Sequence, residues 1–65
     1  MSANVDASRV LDEFETVLHQ GVEPGRCVEA MVILCRWQWD RELDDASRSR
    51  ASLLVRLFGR RYRRT

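Results

Sequence analysis

The sequence contains no lysine, a single histidine and only two cysteines among its 65 residues. His19, with no closely spaced cysteine pair, cannot supply the four ligands typical of a structural zinc site. Cys27 and Cys35 stand eight residues apart in a segment predicted to be helical, so they are separated by about 12 Å, whereas a disulfide spans about 7 Å. We therefore predict no metal site and no intrachain disulfide. Free thiols indicate a reducing compartment, the cytoplasm or alternatively the nucleus, and the alternative is an intermolecular disulfide.

Long hydrophobic runs are lacking as well. The longest covers residues 30–35 and is closed by Arg36, well short of the roughly 18 residues that a membrane span needs. There is no glycine-rich phosphate loop and no nucleophile with a base at a meaningful spacing, and the chain is too short to enclose a pocket. We predict a protein with no membrane span, no catalytic residues and no cofactor.

Three helices are expected, and the first covers residues 6–20. Its apolar residues recur at spacings that place them on one helical face, and the opposite face is acidic. Asn4 or Asp6 is the expected cap, His19 suits the C-terminal end of the dipole, and Gly21 is the expected stop.

The second predicted helix covers residues 24–43, starts at Pro24 and is apolar around most of its circumference. Such a helix must be covered on several sides, and a 65-residue chain buries only about 60% of its surface, so we predict a homodimer. Trp37 and Trp39 lie roughly 160° apart on this helix and are expected to face different neighbours. The residues assigned to the core or to the dimer interface are Val28, Met31, Val32, Leu34, Cys35, Trp37 and Trp39.

A third helix is expected to run to residue 62, with Asp45 or Ser47 as its cap. The alternative is a continuous rod, because nothing between residues 43 and 49 forbids one. The predicted fold is therefore all-α: a single domain of residues 1–65 with a short helix, a long apolar central helix and a basic C-terminal helix. We expect it to form an intertwined or bundled homodimer.

Charge is segregated along the chain. Residues 1–47 contain four arginines and all ten acids, whereas residues 48–65, called the basic segment below, contain seven arginines and no acid. Arg48, Ser52, Arg56 and Arg60 recur every four residues, along roughly 18 Å of helix. The expected binding residues are Arg48, Ser49, Ser52, Arg56, Arg60, Arg61, Arg63 and Arg64.

An arginine row of this kind favours contact with a phosphate backbone, because the guanidinium fork binds phosphate through two bonds. The predicted function is binding to duplex RNA or DNA by shape rather than by sequence. Two other partners remain open. The basic helix can instead pair with an acidic surface, on the first helix or on another protein for which this chain would be an adaptor or inhibitor. Apolar residues beside the arginines also suit an anionic membrane surface.

Overall fold

The computed structural model describes the backbone of residues 3–64 and the side chains of residues 6–64. It contains three helices, α1 (Ala3–Gln20), α2 (Pro24–Trp37) and α3 (Asp45–Arg64), and no strand within these residues. The predicted all-helical class is confirmed. No helix in the described chain is both long enough and apolar enough to cross a membrane.

Helix α1 is longer than expected at its N-terminus and ends where expected. Because it begins at Ala3, Asp6 lies in the first turn rather than at a cap, where its charge still favours the helix dipole. The Asn4 side chain lies outside the described residues. Gly21 has a φ of 96°, the left-handed conformation that glycine adopts most readily, and this confirms the predicted stop.

Helix α2 begins at Pro24 as predicted but ends at Trp37, so the predicted end at residue 43 was wrong. The helix expected to be the longest is the shortest. The chain turns instead through residues 38–44, where the N–H of Glu42 donates to the Asp40 carboxylate at 2.9 Å. Aspartate side chains that bond the nearby backbone compete with helix formation, and this turn reverses the chain so that α3 can pack against α2.

The cap of α3 is Asp44 rather than Asp45 or Ser47. Its carboxylate accepts the backbone N–H of Ser47 at 2.8 Å, the usual N-cap geometry. Hydrogen bonds from the hydroxyl and the N–H of Ser47 hold the pKa of Asp44 below its ordinary value. The capped start separates α3 from α2, so the continuous rod is also wrong.

Replacing Asp44 with alanine is expected to lower the unfolding temperature at pH 7, because the first turn of α3 loses its cap. The folded-state pKa of Asp44 lies below the unfolded-state value of about 3.9. Its stabilisation is therefore complete above that value and is lost as the pH falls through the folded-state pKa. Thermal unfolding followed by circular dichroism should thus show a smaller difference between wild type and Asp44→Ala at pH 3 than at pH 7. An equal loss in Asp45→Ala at pH 7 would contradict this cap assignment.

The core is centred on α3, which packs against both other helices. Ser47, Ala51, Leu54 and Phe58 follow one stripe of α3 and are all buried. The Phe58 ring meets Phe14 of α1 edge to face, with centroids 6.1 Å apart. Ala51, Leu54 and Phe58 form one buried cluster with Leu11 of α1 and with Cys27, Ala30 and Leu34 of α2. Ala7 and Leu43 are buried as well.

Only one side of α2 is covered in the single chain. Cys27, Ala30 and Leu34 are buried, but Val28, Val32 and Ile33 are between 42% and 54% exposed. The sequence expectation that α2 needs covering on several sides is therefore not met by α1 and α3. Cys27 is buried, Cys35 is exposed, and both are free thiols, as the spacing predicted.

Candidate nucleic-acid interface

The basic segment forms most of α3, and the buried stripe of that helix decides where its arginines lie. With residues 47, 51, 54 and 58 turned into the core, the side chains between them are distributed over two flanks and an outer face. One flank of α3 meets α2 and the other meets α1. The seven arginines therefore divide into groups with different surroundings.

The first group lines an open cleft of about 780 Å³ between α3 and the turn that precedes it. From α3 come Arg48, Ser49, Ser52 and Arg56, four of the predicted binding residues. From the turn at residues 38–44 come Gln38, Trp39 and Arg41, and Asp45 at the start of α3 completes the lining. We call this surface the arginine cleft. It brings three guanidinium groups, two hydroxyls, an amide and an indole to one concave surface.

Arg41 and Trp39 were not expected among these binding residues. The sequence reading assigned both to a helix running to residue 43, which would have directed them to different sides of α2. The turn at residues 38–44 brings them to α3 instead, and Trp39 is left 77% exposed. Trp37 is half-buried against the core, so the two tryptophans do face different surroundings. The aspartates at positions 40 and 44 were the signal in the sequence that a turn lies here.

One acid lies within the arginine cleft. Asp45 pairs with Arg48, its neighbour one turn along α3, and the Asp45 side chain is 93% exposed. An exposed pair of this kind contributes little to stability, so Arg48 can exchange Asp45 for another anion at small cost. Arg41 and Arg56 make no ion pair within the described part of the chain.

Arg50 belongs to the opposite flank and contacts the acidic face of α1. Its guanidinium donates to Asp12 at 2.6 Å and to Glu15 at 2.9 Å. These two carboxylates raise the pKa of Arg50, which therefore stays charged. Pairing between the basic helix and α1 was the main alternative to an external partner. Among the described residues, Arg50 is the one arginine of α3 that forms such an ion pair with α1.

Arg60, Arg61 and Arg64 form the third group, in a smaller concavity with Leu18, His19 and Leu57. They lie near the C-terminal end of α1, where positive charge is favoured by the helix dipole. Arg61 also limits the space at Gly21, since its Nη2 would lie 3.2 Å from a Cβ built there. The row predicted from Arg48 to Arg60 is therefore divided, because Arg60 lies in this smaller concavity and the rest of the row lines the arginine cleft. Arg63 is exposed and lines neither concavity.

The residues assigned to the core or to a dimer interface are likewise divided. Leu34 is fully buried, and Met31 and Trp37 are half-buried against the core. Val28, Val32, Cys35 and Trp39 instead line an apolar groove on the outside of α2, together with Met31, Arg36 and Val55. The α2 groove is the name used below for this surface, which shares Trp39 with the arginine cleft.

No group of three or more histidine, cysteine or acidic side chains within the described residues has the arrangement of a metal site. The comparisons with known proteins return nothing: no family model matches the chain, and no match was found among curated proteins or solved structures. The function is therefore inferred from the chemistry of the described side chains.

Proposed function

We propose that this protein is a non-enzymatic nucleic-acid-binding protein that holds the phosphate backbone of a duplex in the arginine cleft. The duplex is RNA or DNA, and the contacts recognise its shape and charge rather than its base sequence. The proposal also includes a homodimer acting in the cytoplasm, or alternatively the nucleus, since two free thiols suit a reducing compartment.

The observation that carries the proposal is the position of Arg41, Arg48 and Arg56 around one open cleft with two serine hydroxyls. Planar guanidinium groups bind phosphate oxygens through two parallel bonds and are weakly hydrated, so little hydration is lost on contact. Serine hydroxyls supply neutral contacts to the same backbone. Arg50 already pairs with two carboxylates of α1, so the charges that line the cleft are not those that hold the helices together.

Salt dependence tests the proposal directly. If the three cleft arginines each contact one phosphate, the logarithm of the binding constant should fall linearly with the logarithm of salt concentration, with a slope of about −3 per chain on duplex DNA. An electrophoretic shift assay with duplex RNA, duplex DNA and single strands at several salt concentrations measures this slope. Random-sequence and fixed-sequence duplexes should bind equally, because backbone contacts carry no sequence information.

An acidic polypeptide separates this function from binding to an acidic protein. Polyglutamate offers carboxylates without the regular phosphate spacing, so it should compete for the cleft less effectively than a duplex of equal charge. Failure to retard any nucleic acid at low salt would overturn the proposal. Equal competition by polyglutamate would favour an acidic protein partner instead.

A further inference from the structure

The α2 groove consists mainly of apolar side chains that α1 and α3 leave exposed. Val28, Val32 and Trp39 are 43%, 54% and 77% exposed, and the groove holds about 570 Å³. Contiguous apolar surface of this kind on a small domain marks an interaction site. We infer that a second copy of this chain docks here, with its α2 antiparallel to the first. This inference rests on the homodimer included in the proposed function and names its interface.

The apolar residues of the groove have a spacing that reads the same in both directions. Val28, Val32, Cys35 and Trp39 are separated by four, three and four residues. The first three fall within about 60° of one another around α2, and Trp39, two residues past its end, lines the same groove. An antiparallel copy therefore sets Val28 opposite Trp39 of the second copy and Val32 opposite Cys35 of the second copy. A twofold interface needs a self-complementary patch, and the symmetric spacing of these residues provides one.

The charges beside the stripe select the antiparallel direction. Glu29 and Arg36 are both exposed and lie on the same flank of α2, about 20° apart. When Val32 faces Cys35 of the second copy, Glu29 lies about 3 Å along the axis from Arg36 of the second copy, well within side-chain reach. Symmetry produces this pair twice. Neither residue has an ion pair within the described part of its own chain.

A parallel arrangement loses this complementarity. It would turn the flank that carries Glu29 and Arg36 toward α3 of the second copy, so the two residues could not meet across the interface. The antiparallel arrangement also has a consequence for the arginine cleft. Met31 lies beside α3, its sulfur 3.7 Å from a Cβ built at Gly59, and it is about 160° around α2 from Glu29. The α3 helix is therefore on the flank away from Glu29, and the twofold axis brings both α3 helices to the same side of the dimer. The two arginine clefts, which are lined by α3, then lie on that side, and we expect one duplex to contact both.

Sedimentation velocity without nucleic acid tests the interface independently of the proposed function. The wild-type chain in reducing buffer is expected to sediment as a dimer. Val32→Glu should convert it to a monomer, because a charge enters the middle of the groove. Leu53→Glu is the matched control, since Leu53 is also 54% exposed but lies outside the groove, and it should remain dimeric. A monomeric wild type at the concentrations of the shift assay would overturn the inference.

Exchanging the flanking charges tests the direction of docking. Glu29→Arg and Arg36→Glu each replace two attractive pairs with two repulsive ones, so each should weaken the dimer by on the order of tenfold. The double variant Glu29→Arg with Arg36→Glu rebuilds both pairs in reverse and should recover most of that loss. A dimer in which the double variant is as weak as the single variants would rule out antiparallel docking through this groove.

Crosslinking provides a measurement that does not depend on a change in stability. In the proposed dimer, Cys35 of the two copies stand about 4.5 Å apart along the helix axes, within reach of a short bismaleimide. The crosslinked dimer should disappear in Cys35→Ser and persist in Cys27→Ser, because the Cys27 thiol is buried. A wild-type dimer without a Cys35 crosslink would mean that another surface is used. A dimer that binds no duplex would leave this interface intact and overturn only the proposed function.

Discussion

Replacing Arg41 and Arg56 together with glutamate is expected to abolish retardation of a duplex at moderate salt. A hydrogen bond to a charged group contributes about 1.5 to 3 kcal/mol, so the loss of two such contacts weakens binding by at least about a hundredfold. The introduced carboxylates also repel the phosphates. Because neither arginine makes an ion pair within the described residues, the fold should be unaffected and the circular dichroism spectrum unchanged.

A matched variant distinguishes the arginine cleft from a general effect of net charge. Arg9 and Arg26 are exposed, lie outside the cleft and also make no ion pair among the described residues. Arg9→Glu with Arg26→Glu changes the net charge by the same amount and should weaken binding only slightly, through long-range electrostatics that salt screens. If both double variants lose binding equally, the arginine cleft is not the phosphate site.

Truncating Phe58 to alanine is expected to remove a large part of the free energy of unfolding at 25 °C. Phe58 is fully buried and packs edge to face against Phe14. A phenylalanine-to-alanine change in a core destabilises by about 3 to 5 kcal/mol, whereas a domain of this size is stable by roughly 3 to 10 kcal/mol in total. Urea unfolding followed by circular dichroism at 222 nm, a standard helix signal, measures the loss.

The control for this variant is Leu53→Ala in the same helix. Leu53 is 54% exposed, and an exposed position of this kind usually changes stability by no more than about 0.5 kcal/mol. Unfolding midpoints should be compared at one protein concentration, because dimer formation adds a concentration-dependent contribution to stability. If Phe58→Ala unfolded at nearly the wild-type urea concentration, α3 would not be the centre of the core.

The helix boundaries show which features of this fold could be predicted from sequence patterns. The C-terminal end of α1, before Gly21, and the start of α2, at Pro24, were predicted correctly. Glycine and proline act on the backbone itself, so their signals are local and strong. The end of α2 was placed six residues too far along. There the apolar pattern continues through Trp39 and Leu43. Periodicity alone does not distinguish a helix from a turn that also contains a buried apolar residue, and Leu43 is such a residue.

The sequence also predicted only part of the candidate site. A four-residue spacing places Arg48, Ser52 and Arg56 near one another on any helix, and they do line one cleft. The same spacing could not assign Arg60 to a second concavity beside α1, because each step of four residues rotates by about 40°. Over three steps the row turns from the flank that faces α2 toward the flank that faces α1.

The sequence by itself determined that the chain is helical and that its acids and arginines are segregated. Those properties follow from composition and from the helical period, which are local. Only the tertiary structure decided that Arg50 pairs with α1 while Arg48 and Arg56 join Arg41 around an open cleft. That outcome depends on which neighbour each flank of α3 meets, and this is fixed by the turn at residues 38–44 and the packing of three helices around Phe58.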